Sequence, residues 1–150
     1  MFPGYLKCEG MNTYSTILVA DDDNDDVTLL KYAFKEAEIK NRISFVENGE
    51  ELLDFLKLAE MEGIEMPCLV LLDLNMPKIG GHAALKLMKE NPRWRRIPVL
   101  VFSTSDFEDD IKQVYDLGGA SYIVKPPRYA DLVKLVKAIK DYWIDSVALP

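Results

Sequence analysis

The chain has 150 residues, 49% of them apolar, with only 8 Gly and 8 Pro; this suits one compact domain with a real core and excludes a disordered chain. Its 18 basic against 25 acidic side chains leave a net charge of −7, which repels a phosphate backbone and argues against nucleic acid as a direct partner. No apolar run approaches the ~18 residues of a membrane span, and Cys8 and Cys68 fall short of a disulfide framework, so a reducing, cytoplasmic compartment is expected.

Residues 1–14 read as a flexible N-terminal tail without the apolar core of a signal peptide, and Met11 is a candidate natural start. The run Thr16-Ile17-Leu18-Val19-Ala20 then reads as a strand. Val27, Leu30, Phe34 and Ala37 follow at helical spacing. Arg42-Ile43-Ser44-Phe45-Val46 alternates and suits an edge strand. After the turn at Asn48-Gly49, Leu52, Phe55, Leu56 and Ala59 form a second helical stripe, closed by Met66-Pro67.

Cys68-Leu69-Val70-Leu71-Leu72 is the next strand, with Cys68 a buried free thiol. Gly80-Gly81 starts a helix carrying Ala84, Leu87 and Met88, on which His82 reads as a surface residue. Trp94, among Arg93, Arg95 and Arg96, reads as a partly exposed loop residue. The strand Pro98-Val99-Leu100-Val101-Phe102, a helix with Ile111, Val114 and Tyr115, and the strand Ser121-Tyr122-Ile123-Val124 follow. The last helix carries Leu132, Leu135, Val136, Ile139 and Trp143, and residues 144–150 read as a short C-terminal tail.

Strand and helix thus alternate over residues 15–143, with no repeat and no second domain. Except for the edge strand, the apolar runs are continuous, as in strands buried on both faces of a parallel sheet. Parallel strands need crossovers, so helices cover both faces of one α/β sheet.

In such a sheet, function gathers at the carboxyl ends of the strands. The first strand ends in Asp21-Asp22-Asp23, the third in Asp73, the fourth in Ser103-Thr104 and the fifth in Lys125-Pro126. Clustered carboxylates repel one another, and a hard divalent cation such as Mg²⁺ removes that cost. Lys125 can neutralise the remainder, and a hydroxyl can donate to a phosphoryl oxygen. The cleft is therefore suited to a phosphoryl group on Asp73, since carboxylate nucleophiles do form aspartyl phosphates. Asp23, Asn24, Asp25 and Asp26 read as capping of the first helix.

The stretches Ile17-Leu18-Val19-Ala20-Asp21-Asp22, Leu71-Leu72-Asp73-Leu74-Asn75-Met76-Pro77, Val101-Phe102-Ser103-Thr104 and Ala120-Ser121-Tyr122-Ile123-Val124-Lys125-Pro126 together resemble the receiver domain of two-component response regulators. Each motif is weak alone; their shared order makes the likeness specific. The resemblance implies a flavodoxin-like (βα)5 fold with strand order 2-1-3-4-5 and a phosphoprotein of phosphorelay signal transduction. It implies Asp73 as phosphoacceptor, with Mg²⁺ held by Asp22, Asp73, the Asn75 carbonyl and, through water, Asp21. Lys125 would pair with Asp73 and then with the phosphoryl group. Ser103 matches the switch hydroxyl and Tyr122 the aromatic that turns inward with it. The Lys125–Pro126 bond would be cis.

The same resemblance implies a histidine kinase or histidine phosphotransfer protein as donor, and a downstream protein, not identified by the sequence, as receiver of the signal. The protein would be no enzyme beyond catalysing its own phosphorylation and dephosphorylation. The long segment Leu58 to Pro67 resembles regulators paired with phytochrome-type kinases. Ala20 and Asp21 stand where relatives often carry Val and Glu, Gly80 where Asp is common, and Thr104 where Ala is frequent.

Two other readings compete. A Mg²⁺-dependent phosphatase of the haloacid dehalogenase kind needs a carboxylate two residues after its nucleophile, where this chain has Asn75. A pseudo-receiver that takes no phosphate would not need the complete acid, hydroxyl and lysine set. Val133, Leu135, Val136, Ile139, Trp143 and Ile144 exceed what one helix face needs for its own core, which suggests a homodimer through the last helix.

Overall fold

The computed structural model describes residues 15–149; the expected N-terminal tail, with Cys8 and Met11, lies outside the described residues. Strands and helices alternate as β1 (Thr16–Ala20), α1 (Asn24–Glu36), β2 (Arg42–Val46), α2 (Gly49–Glu62), β3 (Leu69–Leu72), α3 (Gly81–Glu90), β4 (Val99–Ser103), α4 (Glu108–Asp116), β5 (Ser121–Val124) and α5 (Tyr129–Ile139). A 3-10 turn (Trp94–Arg96) precedes β4, and a π-helical turn (Lys140–Ile144) follows α5. All strand pairs are parallel, in the order β2-β1-β3-β4-β5. This is the flavodoxin-like arrangement expected.

The central strands are buried on both faces, and successive side chains alternate between two cores. Ile17, Val19, Leu69, Leu71, Leu100 and Phe102 face α1 and α5. Leu18, Ala20, Val70, Leu72, Val99 and Val101 face α2, α3 and α4. Burying each large aliphatic side chain contributes roughly 1.5–3 kcal/mol, so Leu52, Leu56 and Leu85, all fully buried, fasten α2 and α3 to the sheet. Caps set the helix starts. The Asp23 carboxylate accepts from the amides of Asp25 and Asp26. Asn48 Oδ1 accepts from the Glu51 amide, and Glu51 Oε2 accepts in return from Asn48 Nδ2 and from the Glu47 amide, which fixes the start of α2.

The structure corrects several expectations. β5 is not buried on both faces: Ser121, Tyr122 and Ile123 are half-buried and Val124 is exposed. A continuous apolar run records composition, whereas burial depends on position, and β5 pairs with β4 alone at the sheet edge. Trp94 is buried, because the 3-10 turn folds its indole onto α2, where the ring N–H donates to Glu60 Oε2. His82 is half-buried, with Nε2 3.8 Å from Asp110 Oδ1. There is no cis peptide bond among the described residues, so Lys125–Pro126 is trans. The trans form is the lower in energy for most X-Pro bonds, and with it the Lys125 ammonium still reaches its carboxylates.

The apolar surplus of the last helix is also accounted for within the chain. Val133, Val136, Ile139 and Ile144 are buried in the core on the α1 side, with Leu135 and Trp143 packed against them. The π turn, marked by the bond from the Asp145 amide to the Lys140 carbonyl at 2.9 Å, adds a residue per turn and rotates Ile144 inward. Leu149 is buried in the same cluster and Val147 packs on it. In the C-terminal segment Ile144 and Leu149 thus pack on the domain while Asp145, Ser146 and Ala148 are exposed, and the apolar residues cited for a dimer find partners within the chain.

Candidate functional site

Three site residues sit one position beyond a strand, and each is held by a further ladder-type hydrogen bond. The Asp21 amide donates to the Val46 carbonyl at 3.0 Å, the Asp73 amide to Ala20 at 2.9 Å and the Lys125 amide to Ser103 at 2.7 Å. Parallel strands that end together therefore deliver these side chains to one edge of the sheet. Gly81 keeps the floor close. A Cβ there would lie 2.4 Å from the Asp73 carbonyl oxygen and 2.6 Å from Leu74 Cα, so only glycine lets α3 start against the Asp73 backbone.

The Lys125 ammonium stands at the centre. Its Nζ lies 2.8 Å from Asp21 Oδ2, 2.8 Å from Asp26 Oδ2 and 3.1 Å from Asp73 Oδ2. The Asp21, Asp73 and Lys125 side chains are buried. Asp73 Oδ1 accepts from the Asn75 amide at 3.2 Å, and Asp21 Oδ1 from the Asp23 amide at 2.9 Å. Burial pushes the Asp21 carboxyl up to about 6, against the pull of the bonds from Lys125 and Asp23. For Lys125, burial favours the neutral amine. The bonds to Asp21 and Asp26 and the charges of Asp21 and Asp73 outweigh it, holding the ammonium above the ordinary lysine range.

One carboxylate oxygen each from Asp21, Asp22 and Asp73 fall within 4.8 Å of one another, and Asp22 faces solvent. Oxygen donors alone, with one side open to water, fit a hard divalent cation that retains part of its hydration shell. Ser103 ends β4 fully buried, its Oγ accepting from the Ser105 amide at 3.3 Å. Tyr122 reaches the same loop from β5 and donates its hydroxyl to the Ser105 carbonyl at 2.8 Å. Thr104 is exposed.

Asp21, Asp22, Asp73 and Lys125 are thus brought together, Asn75 contributes its amide, and Ser103 and Tyr122 meet at Ser105. Sequence reasoning missed Asp26 as a partner of Lys125 and Ser105 as the hub of the β4–α4 loop. Asp26 was hidden by the cap reading: the Asp23 side chain makes the cap bonds, which leaves the Asp26 carboxylate for Lys125. Ser105 carried no signal in the sequence.

The response regulator receiver domain family matches residues 17–137. The probable methanogenesis regulatory protein FilR2 of Methanothrix harundinacea is 39% identical over 128 residues, covering 85% of this chain and 83% of that protein. Response regulator Rcp1 of Synechocystis sp. is 36% identical over 140 residues, 93% of this chain and 95% of that protein. The crystal structure of Mn²⁺-bound Rcp1 superposes with a TM-score of 0.82, covering 91% of this chain and 99% of that one. The phosphorylated cyanobacterial phytochrome response regulator RcpA, 35% identical, gives 0.84 over 91% of this chain and 99% of that chain. The chain belongs to the response regulator receiver domain family of two-component signalling. The phosphatase and pseudo-receiver readings are not favoured. Among the described residues, no helix is long and apolar enough to cross a membrane.

Proposed function

We propose that Asp73 accepts a phosphoryl group from a phosphohistidine of a histidine kinase or histidine phosphotransfer protein. The observation that carries this reading is the Lys125 Nζ, 3.1 Å from Asp73 Oδ2, in the same pocket as the three-acid group. An Asp73 carboxylate oxygen attacks phosphorus in line. The phosphorus–nitrogen bond breaks and its electron pair returns to the donor imidazole. Lys125 stays protonated and acts as a fixed cation opposite the incoming charge, so its contribution is positioning and electrostatic.

Asp21, Asp22, Asp73 and the Asn75 carbonyl would hold Mg²⁺, which when bound supplies charge neutralisation at the phosphoryl oxygens. Ser103 is the hydroxyl that would turn to a phosphoryl oxygen. Its contact to the Ser105 amide is long at 3.3 Å and inexpensive to exchange. Because Tyr122 is bonded to the Ser105 carbonyl, movement of Ser103 reaches Tyr122 through one loop residue. The altered face of α4, β5 and α5 would then bind a downstream protein. The protein acts only on itself, catalysing its own phosphorylation and dephosphorylation. Similarity to RcpA supports a phytochrome-type kinase as donor, and the buried free thiol of Cys68 suits the cytoplasm.

Acetyl phosphate with Mg²⁺ is expected to phosphorylate the wild-type chain and to leave Asp73→Ala unlabelled. Undiminished labelling of that variant would overturn the assignment.

A further inference from the structure

An ammonium has three N–H donors, and in Lys125 each has a carboxylate: Asp21, Asp26 and Asp73. Asp21 and Asp73 belong to the strand-end site. Asp26 lies off it, in the first turn of α1. Its side chain is 34% exposed, against 2% for Asp21 and 8% for Asp73. Lys125 borders a small cavity with Leu29 and Leu30 of α1 and Leu132 of α5, and its Nζ lies 5.5 Å from the Phe102 ring centroid. The Lys125 side chain is 8% exposed and all three of its donors are engaged, so a new acceptor at Asp73 changes how those donors are shared.

We propose that Asp26 is a positioning residue that acts through Lys125, competing with a phosphoryl group on Asp73 for the ammonium. This rests on the phosphoacceptor reading above. An acyl phosphate carries more negative charge than the carboxylate it replaces, so it draws harder on Lys125. Asp21 is buried and has no solvent to replace the ammonium. Asp26 is partly solvated, and water can take over its hydrogen bond, so its contact is the one that yields at least cost. While Asp26 keeps its charge, part of the lysine's pull is diverted from the phosphoryl oxygens.

Asp26→Asn keeps the shape and removes the charge. Binding of beryllofluoride, a phosphoryl mimic, would be titrated at saturating Mg²⁺ and followed by ¹⁹F NMR. The half-saturating concentration is expected to fall about threefold to tenfold, with Asp26→Glu returning it to the wild-type value. Asp26→Ser, checked for folding by circular dichroism, gives a second variant with the same expected direction. In a Lys125→Gln background, Asp26→Asn is expected to give no gain. Unchanged or weakened binding in Asp26→Asn, or an equal gain without the lysine, overturns the proposal. Failure of the wild-type chain to bind beryllofluoride, or equal binding by Asp73→Ala, sinks the phosphoacceptor reading instead.

Discussion

The Trp94 indole N–H donates to Glu60 Oε2 at 3.0 Å, tying the turn before β4 to the last turns of α2. Arg93 Nη1 holds the other oxygen of that carboxylate at 2.9 Å. Trp94→Phe keeps most of the ring and loses the donor, which is expected to cost ~0.5–1.5 kcal/mol. Trp94→Ala also opens a cavity and should cost ~3–5 kcal/mol. Urea unfolding of both variants checks this ordering. Equal losses would show that the N–H, not the buried ring, carries the stability.

Lys125→Met removes the cation that three carboxylates share. Leaving buried charges unpaired is expected to cost about 3 kcal/mol in the presence of EDTA. A divalent cation can then take over the neutralising role, so Mg²⁺ should raise the melting temperature of the variant more than that of the wild type. Thermal unfolding with EDTA and with Mg²⁺ measures both effects. A smaller Mg²⁺ response in the variant would contradict the shared-charge account.

Gly81→Ala places a methyl group 2.4 Å from the Asp73 carbonyl oxygen. Backbone cannot yield there as a flexible side chain would. An expected loss of ~1–3 kcal/mol should come with slower acetyl phosphate labelling, because the shifted backbone is that of Asp73 itself. Chemical denaturation and labelling rates test the pair; normal values in both would mean that α3 moves freely.

Burial pushes the Cys68 thiol from 9.0 up to about 11. The folded state therefore binds this proton more tightly than the unfolded state does. Its stabilising contribution is complete below pH 9.0 and is lost as pH rises towards about 11. Between pH 8 and 11 the wild type should lose up to about 2 kcal/mol more than Cys68→Ala. Paired denaturation curves decide it, and parallel pH profiles would refute it.

How much of this was legible in the sequence follows from what each signal measures. Continuous apolar runs identified β1, β3 and β4 because central parallel strands need apolar side chains on both faces. The same signal overstated β5, since a run does not reveal whether a second strand lies beside it. Asp21, Asp22, Asp73 and Lys125 were readable because parallel strands end together and polar residues there stand out against apolar runs. Asp26 was concealed by a sufficient local explanation, the helix cap, although its carboxylate reaches across to β5. Trp94 looked exposed beside Arg93, Arg95 and Arg96 because flanking charge says nothing of where one indole points. Ile144 looked spare because the π turn breaks the 3.6-residue period used to count faces.

The bonds from the Asp21, Asp73 and Lys125 amides to Val46, Ala20 and Ser103 carry the sheet's hydrogen-bond ladder one residue further, through the backbone of the charged trio. Exchange of those amide protons for deuterium should therefore be as slow as in the strand interiors. Substitutions that loosen the surrounding loops can then alter signalling rates while leaving the spacing of the trio intact.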